Sequence, residues 1–357
     1  MLRAYNFGAG PAMLPTEVLQ RARDELFDWQ GTGVSVMEIG HRTGIYQDML
    51  AKLEQKLRKL MHIPSNYKVL FLQGGAQGLF SLIPMNLTLN NKDVDYLVSG
   101  IWSERAAKYA KKYGNVNIVT TASLTSIPDS STWNLNNNAA YAYYCPNETI
   151  NGIRCPEFLN PNSVPLVADM TSSVLSEVID VSKFGIIFAA AQKNLGIAGI
   201  TLLIIRDDLL DQALDSVPEV FNFKIQAAQK SCLNTPATYP LYMMDLMVDW
   251  TINQGGVTQM AAVAARKSQK LYNYIDQSNG FYINTIEPKY RSWINIPFLL
   301  PNDELLELFL VEAAQHNLKY LKGHILVGGA RASLYNAMPE SGVDALIDFM
   351  QNFAAKY

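Results

Sequence analysis

Cysteine is scarce in this sequence, and the three cysteines, Cys145, Cys155 and Cys232, show no CxxC spacing. An odd number of separated cysteines fits neither a disulfide framework nor a zinc site, so we expect no metal and a reducing compartment such as the cytoplasm. The sequence also lacks an apolar run of about 18 residues, the length that a membrane span needs. Its N-terminus lacks the long apolar segment of a secretory signal. We therefore expect no contact with a membrane.

An excess of charge of one sign is absent as well. The chain has 29 Lys and Arg against 32 Asp and Glu, with a net charge of -3, and no long block of basic residues. This balance argues against a nucleic-acid partner. Hydrophobic residues make up 49% and charged residues 17% of the 357 residues, which is typical of a globular protein. The length exceeds what one core usually supports, so we expect two domains.

Short apolar runs alternate with helical patterns along most of the chain. The clearest predicted strands are YKVLFLQ (67–73), DYLVSG (95–100), VPLVADM (164–170), GIIFAAAQ (185–192) and ITLLIIR (200–206). Because these runs are almost continuously apolar, we expect strands that are covered on both faces. The pattern predicts an α/β fold with a mostly parallel sheet covered by helices.

The glycine pair Gly255-Gly256 marks the predicted domain boundary. We expect an N-terminal arm at residues 1–15, a large domain at 16–256 and a smaller α+β domain at 257–357. Helical spacing over 16–29 predicts the first helix of the large domain. In the smaller domain, strand-like and helical segments alternate up to a final helix that begins near Glu340.

Polar residues end several of the predicted strands. In open α/β sheets, ligands bind beyond the carboxyl ends of the strands. The candidates there are the turn at 74–78, Thr149, Asp169 and the pair Gln192-Lys193. These positions are where we expect a functional site.

Lys193 and Asp169 suggest the chemistry of this site. Burial after an apolar strand would lower the pKa of Lys193 and free its amine to attack a carbonyl. The alternatives are a solvated lysine in a surface turn and, for Asp169, a helix cap near Ser172. Pyridoxal phosphate (PLP) requires an amine, a carboxylate for its pyridine nitrogen, a stacking ring and phosphate donors. Trp102, which could also be a core aromatic residue, and the glycine turn complete that set.

Several strings carry a resemblance to a known family. They are YNFGAGPAMLP, SVMEIGHR, NYKVLF followed by Gly-Gly, YCPNETI, AAAQKN, NTPAT and RASLYNAMP. Their order and their spread along the chain resemble the phosphoserine aminotransferase family. The resemblance implies a PLP-dependent, fold-type-I aminotransferase of class V, with a large PLP-binding domain and a small C-terminal domain. It also implies a homodimer with active sites shared between the subunits.

The implied reaction transfers the amino group of L-glutamate to 3-phosphohydroxypyruvate. Its products are O-phospho-L-serine and 2-oxoglutarate, which places the enzyme in serine biosynthesis and leaves a second role in pyridoxine biosynthesis open. The resemblance assigns roles by position to matching residues in this chain. They are Lys193 (Schiff base and proton transfer) and Asp169 (pyridine nitrogen) as catalytic residues, Ala76, Gln77, Trp102, Thr149 and Gln192 as cofactor ligands, Asn234 and Thr235 as ligands of the other subunit's cofactor phosphate, and His41, Arg42, His324 and Arg331 as substrate ligands.

Two positions depart from the family pattern. Gln77 and Ile325 stand where the family commonly has arginine, and both positions are associated with the substrate phosphate. Lys322 or Arg291 could compensate. Without compensation, the alternatives are an aminotransferase of a non-phosphorylated amino acid or a related desulfuration. A catalytically silent phosphate-binding relative is a further alternative. No cysteine lies in a Gly/Ser-rich loop suited to desulfuration.

Overall fold

The computed structural model describes residues 3–156 and 164–357. The helices of these residues are α1 (Thr16–Asp24), α2 (Gly44–Met61), α3 (Gly75–Leu87), α4 (Ile101–Ala110), α5 (Phe223–Ala228), α6 (Thr238–Asn253), α7 (Gly256–Asp276), α8 (Asp303–Gln315) and α9 (Glu340–Lys356). The strands are β1 (Tyr5–Asn6), β2 (Tyr67–Leu72), β3 (Asp93–Val98), β4 (Asn115–Thr121), β5 (Tyr141–Tyr144), β6 (Asn147–Glu148), β7 (Ile153–Arg154), β8 (Leu166–Asp169), β9 (Ile186–Ala190), β10 (Thr201–Arg206), β11 (Asn295–Phe298), β12 (Leu318–Lys319) and β13 (Ala330–Ser333).

A seven-stranded sheet with the order β2-β10-β9-β8-β5-β3-β4 forms the centre of the molecule. The strands run parallel except β10, which is antiparallel to both of its neighbours, β2 and β9. Alternate residues of each strand enter two separate apolar clusters, one on each face of the sheet. Helices α2 and α6 pack on one face, and α3 and α4 on the other. The predicted α/β fold is confirmed.

A separate apolar core lies in the C-terminal part. It is formed by the second half of α7 together with α8, α9, β11 and β13. The N-terminal arm also contributes, because Phe7 and Met13 enter this core and β1 pairs with β12. The arm then returns to the large sheet, where the Ala12 N–H donates to the carbonyl of Gln192 at 2.9 Å. No helix in the described ranges is long and apolar enough to cross a membrane.

Two local predictions differ from the structure. The first helix ends at Asp24 rather than near residue 29, because the chain turns through left-handed conformations at Gln30 and Gly31. Helix α6 was not predicted. Its buried residues follow one another over 241–244 and 246–248 instead of recurring at helical spacing, so its sequence shows only a weak helical period.

Candidate active site

One cavity of about 400 Å³ opens beyond the carboxyl ends of the parallel strands. It collects side chains that follow β2, β3, β5, β8 and β9, which end at the same edge of the sheet. The predicted site residues in its wall are Ala76, Gln77, Trp102, Thr149, Asp169, Gln192, Lys193, His324 and Arg331. Ala9 and Gly10 of the N-terminal arm also line this cavity.

Asp169 and Lys193 face this cavity from neighbouring strands. Asp169 ends β8, and Lys193 follows β9 by three residues. Burial lowers the pKa of the Lys193 ammonium group, and the negative charge of Asp169 opposes that effect. Burial raises the pKa of the Asp169 carboxyl, against hydrogen bonding by Thr171 and the charge of Lys193. The Thr171 N–H donates to Asp169 Oδ1 at 2.9 Å, which fixes the carboxylate.

Trp102 is held at the start of α4 by two contacts. Its indole Nε1–H donates to Thr149 Oγ1 at 2.8 Å, and its backbone N–H donates to Glu148 at 3.0 Å. Glu148 is fully buried and also accepts from the backbone N–H and hydroxyl of Ser103, at 2.8 and 2.7 Å. This carboxylate therefore caps α4 and orients the indole. Sequence reasoning missed Glu148, although it directly precedes Thr149.

The glycine turn brings a second helix N-terminus to the cavity. Gly74 and Gly75 adopt positive φ values of 106° and 64°, which side chains rarely tolerate. Helix α3 starts at Gly75 with no acidic residue in its first turn and no side-chain cap. Its free backbone N–H groups are suited to an anion such as a phosphate.

Arg331 and His324 reach the cavity from the C-terminal part of the chain. Arg331 Nη1 donates to the carbonyl of Thr149 at 3.0 Å, which spans the two parts of the protein. Burial lowers the pKa of Arg331. Burial and the positive charges of Arg331 and Arg105 lower the pKa of His324. A positive region therefore faces the pair Lys193 and Asp169.

Four predicted site residues lie outside this cavity. Arg42, Asn234 and Thr235 are exposed, and His41 is partly buried with a ring Nε2 that has no hydrogen-bond partner among the described residues. Asn234 lines a different, smaller pocket. A single chain does not bring these four residues to Lys193.

Comparison with known proteins decides the family. The model of class-V aminotransferases matches residues 4–346. The phosphoserine aminotransferase of Acinetobacter baylyi is 50% identical over 360 residues, and the alignment covers 100% of both chains. The phosphoserine aminotransferase of Hahella chejuensis is 47% identical, with 99% of both chains covered.

Solved structures agree with this result. A phosphoserine aminotransferase from Bacillus circulans subsp. alkalophilus has a TM-score of 0.97 and 38% identity, with 99% of both chains covered. A PLP-bound phosphoserine aminotransferase from Trichomonas vaginalis has a TM-score of 0.94 and 39% identity, covering 98% of this chain and 100% of its own. This chain belongs to the phosphoserine aminotransferase family. The resemblance seen in the sequence strings is confirmed.

Phosphoserine aminotransferases are PLP enzymes, and the cavity of this family member fits that cofactor. It contains a buried amine and a buried carboxylate on one side, and a glycine turn at a helix N-terminus on another. The indole of Trp102 lies in the same wall. The amine suits the aldehyde of PLP, and the carboxylate suits its pyridine nitrogen. The helix N-terminus suits its phosphate, and the indole suits its flat ring.

A buried polar network behind the cavity links the two parts of this family member. Asn147 donates to Ser172 Oγ and to Asn295 Oδ1, both at 2.9 Å, and accepts from Ser292 Oγ. A second link forms where the Asn336 N–H donates to Asn194 Oδ1 at 3.1 Å. Asn147, Asn194 and Asn336 belong to the YCPNETI, AAAQKN and RASLYNAMP strings, respectively, which therefore meet around one site. Sequence reasoning did not assign them a role.

A larger cavity of about 600 Å³ lies elsewhere, between the C-terminal end of α2, the start of α7 and residues 170–179. Its wall is mainly apolar and contains none of the predicted site residues. Size alone therefore does not mark the candidate active site of this family member, which we place at the cavity that holds Asp169 and Lys193.

Proposed function

We propose that this chain transfers the amino group of L-glutamate to 3-phosphohydroxypyruvate, giving O-phospho-L-serine and 2-oxoglutarate. The observation that carries the proposal is the convergence of Lys193 and Asp169 on one cavity from the ends of neighbouring strands. The names of the full-length relatives at 47–50% identity supply the substrate class.

The residues that would hold PLP follow from the cavity wall. Lys193 would bind the aldehyde carbon covalently through Nζ, and the Asp169 carboxylate would accept a hydrogen bond from the protonated pyridine nitrogen. Trp102 would stack on the ring, with Thr149 and Gln192 as hydrogen-bonding partners. The backbone at Ala76 and Gln77 would donate to the phosphate at the N-terminus of α3.

When bound, PLP supplies an electron-poor ring that stabilises negative charge on the substrate carbon. Asp169 supports that chemistry because a carboxylate beside the pyridine nitrogen favours its protonated form. Lys193 is suited to carry the proton. Its lowered pKa makes a neutral Nζ accessible, so this atom can take up a proton and return it at a neighbouring position.

Arg331 would bind the substrate carboxylate with the edge of its guanidinium group that is not committed to Thr149. His324 would contact the substrate beside Arg331. The arm residues Ala9 and Gly10 cover the lysine, since a Cβ placed at Gly10 would lie 3.7 Å from two carbons of the Lys193 side chain. A small residue there leaves room for the cofactor and keeps bulk water from the reacting atoms.

Assembly, domain division and location are further parts of the proposal. A homodimer would explain why Asn234, Thr235, His41 and Arg42 are not at the cavity of their own chain, because they could serve the partner's site. The domains would be an arm at 1–15, a large PLP-binding domain at 16–256 and a small domain at 257–357. Residues 1–2 of this arm and residues 157–163 lie outside the described ranges. We place the enzyme in the cytoplasm.

A substrate panel on the PLP-loaded protein tests the function. We expect a yellow protein in which phosphoserine discharges the absorbance at far lower concentration than serine or alanine. Borohydride should fix the cofactor on the peptide that contains Lys193, which mass spectrometry detects. Equal use of phosphoserine and serine would favour the aminotransferase of a non-phosphorylated amino acid. A colourless protein that takes up no PLP would favour the silent relative.

A further inference from the structure

Arg105 lies beside the cavity, where it lines a neighbouring surface groove and contacts Trp102, and the proposed function gives it no role. It is on α4, three residues after Trp102, so both side chains project from the same side of the helix. The guanidinium carbon lies 4.9 Å from the centroid of the Trp102 ring. This cation–π contact restrains the guanidinium group, whose N–H groups can still bind an anion.

No carboxylate in residues 3–156 or 164–357 forms an ion pair with Arg105. Its charge reaches the His324 ring, and Arg331 acts on the same ring. Arg105 also shares a surface groove with Leu326, two residues after His324. The charge of Arg105 therefore adds to that of Arg331 beside the protonatable His324, where a multiply charged anion would offset the repulsion between these groups.

The two arginine positions of the family pattern offer no such charge in this chain. Gln77 is exposed and lies 3.5 Å from the Tyr109 hydroxyl, and the Ile325 side chain is 93% exposed. Of the two compensating residues suggested by sequence, Arg291 fails, because it is committed to Asp276 through two contacts of 2.6 and 2.8 Å.

We propose that Arg105 is a specificity-determining residue that binds the phosphate of the substrate at the outer end of the cavity, together with His324. This inference rests on the proposed function, because it presumes a phosphorylated substrate. The inner contacts stay as described, with the substrate carboxylate at Arg331 and the reacting carbon near Lys193. The phosphate then extends toward α4.

A purely structural role for Arg105 gives a different pattern. If Arg105 only steadies the indole of Trp102, its removal disturbs the ring of the cofactor and impairs every substrate alike. If Arg105 binds the phosphate, its removal impairs phosphorylated ligands selectively. Inorganic phosphate is a second probe, because it contacts the anion subsite without any chemistry at Lys193.

The experiment uses the PLP-loaded enzyme and three variants. Arg105→Gln removes the charge, Arg105→Lys keeps a charge without the planar fork, and Lys112→Gln removes an exposed charge just beyond the same helix as the control. Three quantities are measured for each. They are kcat/KM with phosphoserine, kcat/KM with serine, and the inhibition constant of inorganic phosphate. The cofactor absorbance and the thermal midpoint report whether each variant is folded and loaded.

For Arg105→Gln we expect kcat/KM with phosphoserine to fall by about 10- to 100-fold and phosphate inhibition to weaken by a similar factor, as for a lost charge-assisted contact. The value of kcat/KM with serine should change by less than about twofold. For Arg105→Lys, kcat/KM with phosphoserine and phosphate inhibition should lie between those of wild type and Arg105→Gln. Both quantities should match wild type in Lys112→Gln. Equal losses with phosphoserine and serine, or unchanged phosphate inhibition, would overturn the assignment of Arg105.

Failure of the proposed function has a separate signature. A wild-type enzyme that does not prefer phosphoserine to serine would refute the phosphorylated substrate itself. A wild-type enzyme that prefers phosphoserine, with a variant Arg105→Gln that keeps the preference, refutes only the role of Arg105.

Discussion

The floor of the cavity, formed by Asp169 and Lys193, and the exposed set, formed by Arg42, Asn234 and Thr235 with the partly buried His41, both lie in or beside strings that resemble the family, but the fold places them differently. At the floor, Asp169 and Lys193 are enclosed by strands of one sheet, and Thr171 fixes the carboxylate. The exposed set lies outside the cavity of its own chain. A buried charge needs polar partners in its own chain, whereas water solvates an exposed side chain until a second molecule binds it.

This difference separates what one chain completes from what assembly would add. The pKa shifts of Lys193 and Asp169 come from burial and charges within this chain, so the shifts themselves do not require a partner. The exposed set would gain its role only across an interface. The predictions below test that division.

The largest effect is expected at the floor. Lys193→Ala removes the amine that would hold the cofactor and move the proton, so we expect turnover to fall on the order of 10⁴-fold or more. Steady-state transamination and mass analysis after borohydride treatment measure both roles. Lys112→Ala serves as an exposed control with unchanged rate. Activity within tenfold of wild type would remove Lys193 from the mechanism.

Asp169→Asn tests the acid of the same floor. The amide cannot favour a protonated pyridine nitrogen, so we expect a rate about 10²- to 10³-fold lower and weaker retention of PLP on dialysis. The exposed Asp24→Asn variant is the matched control. Normal cofactor retention together with a normal rate would show that the carboxylate has only a structural role.

Hybrid dimers test the exposed set. We expect Lys193→Ala and the double variant Asn234→Ala/Thr235→Ala each to be impaired as homodimers. If sites are shared, a hybrid contains one site in which every residue is intact. Co-refolding equal amounts should then restore roughly a quarter of wild-type activity by random pairing. The activity of the mixture compared with the average of its components measures this. No gain despite proven hybrid formation would place 234 and 235 outside the partner's site.

The smallest effect concerns Lys267, a second buried lysine that lines no part of the active-site cavity. Its Nζ donates to the carbonyls of Tyr335 and Met338, both at 2.8 Å, and burial lowers its pKa to about 7. Between pH 7 and the ordinary lysine value, the unfolded chain binds a proton that the folded chain lacks. The free energy of unfolding should therefore rise with pH in that window, by about 2 kcal/mol from pH 7 to pH 9.

Urea unfolding of wild type and Lys267→Met across pH 6–9.5 isolates this contribution, because methionine has no proton to exchange. The stability of wild type relative to the variant should increase above pH 7. A constant difference across the range would mean that Lys267 stays charged in the fold. The result also sharpens the comparison with Lys193, since burial shifts both lysines but only Lys193 faces a cavity and an acid.

The sequence predicted the sheet well because its strands are buried on both faces and read as apolar runs. It predicted the floor of the site for a related reason, since Asp169 and Lys193 interrupt those runs at the strand ends. It did not reveal α6, whose buried residues are consecutive and mark no clear helical period. It also did not reveal Glu148, whose role depends on the distance from β6 to the start of α4.

By itself the sequence determined the fold class and the family, because hydrophobic patterning and the long strings are local properties of the chain. Only the tertiary structure decided which side chains share a cavity. It joined Arg331 to Thr149 across 182 positions and committed Arg291 to Asp276. Such contacts depend on the packing of distant segments, which no spacing along the chain encodes.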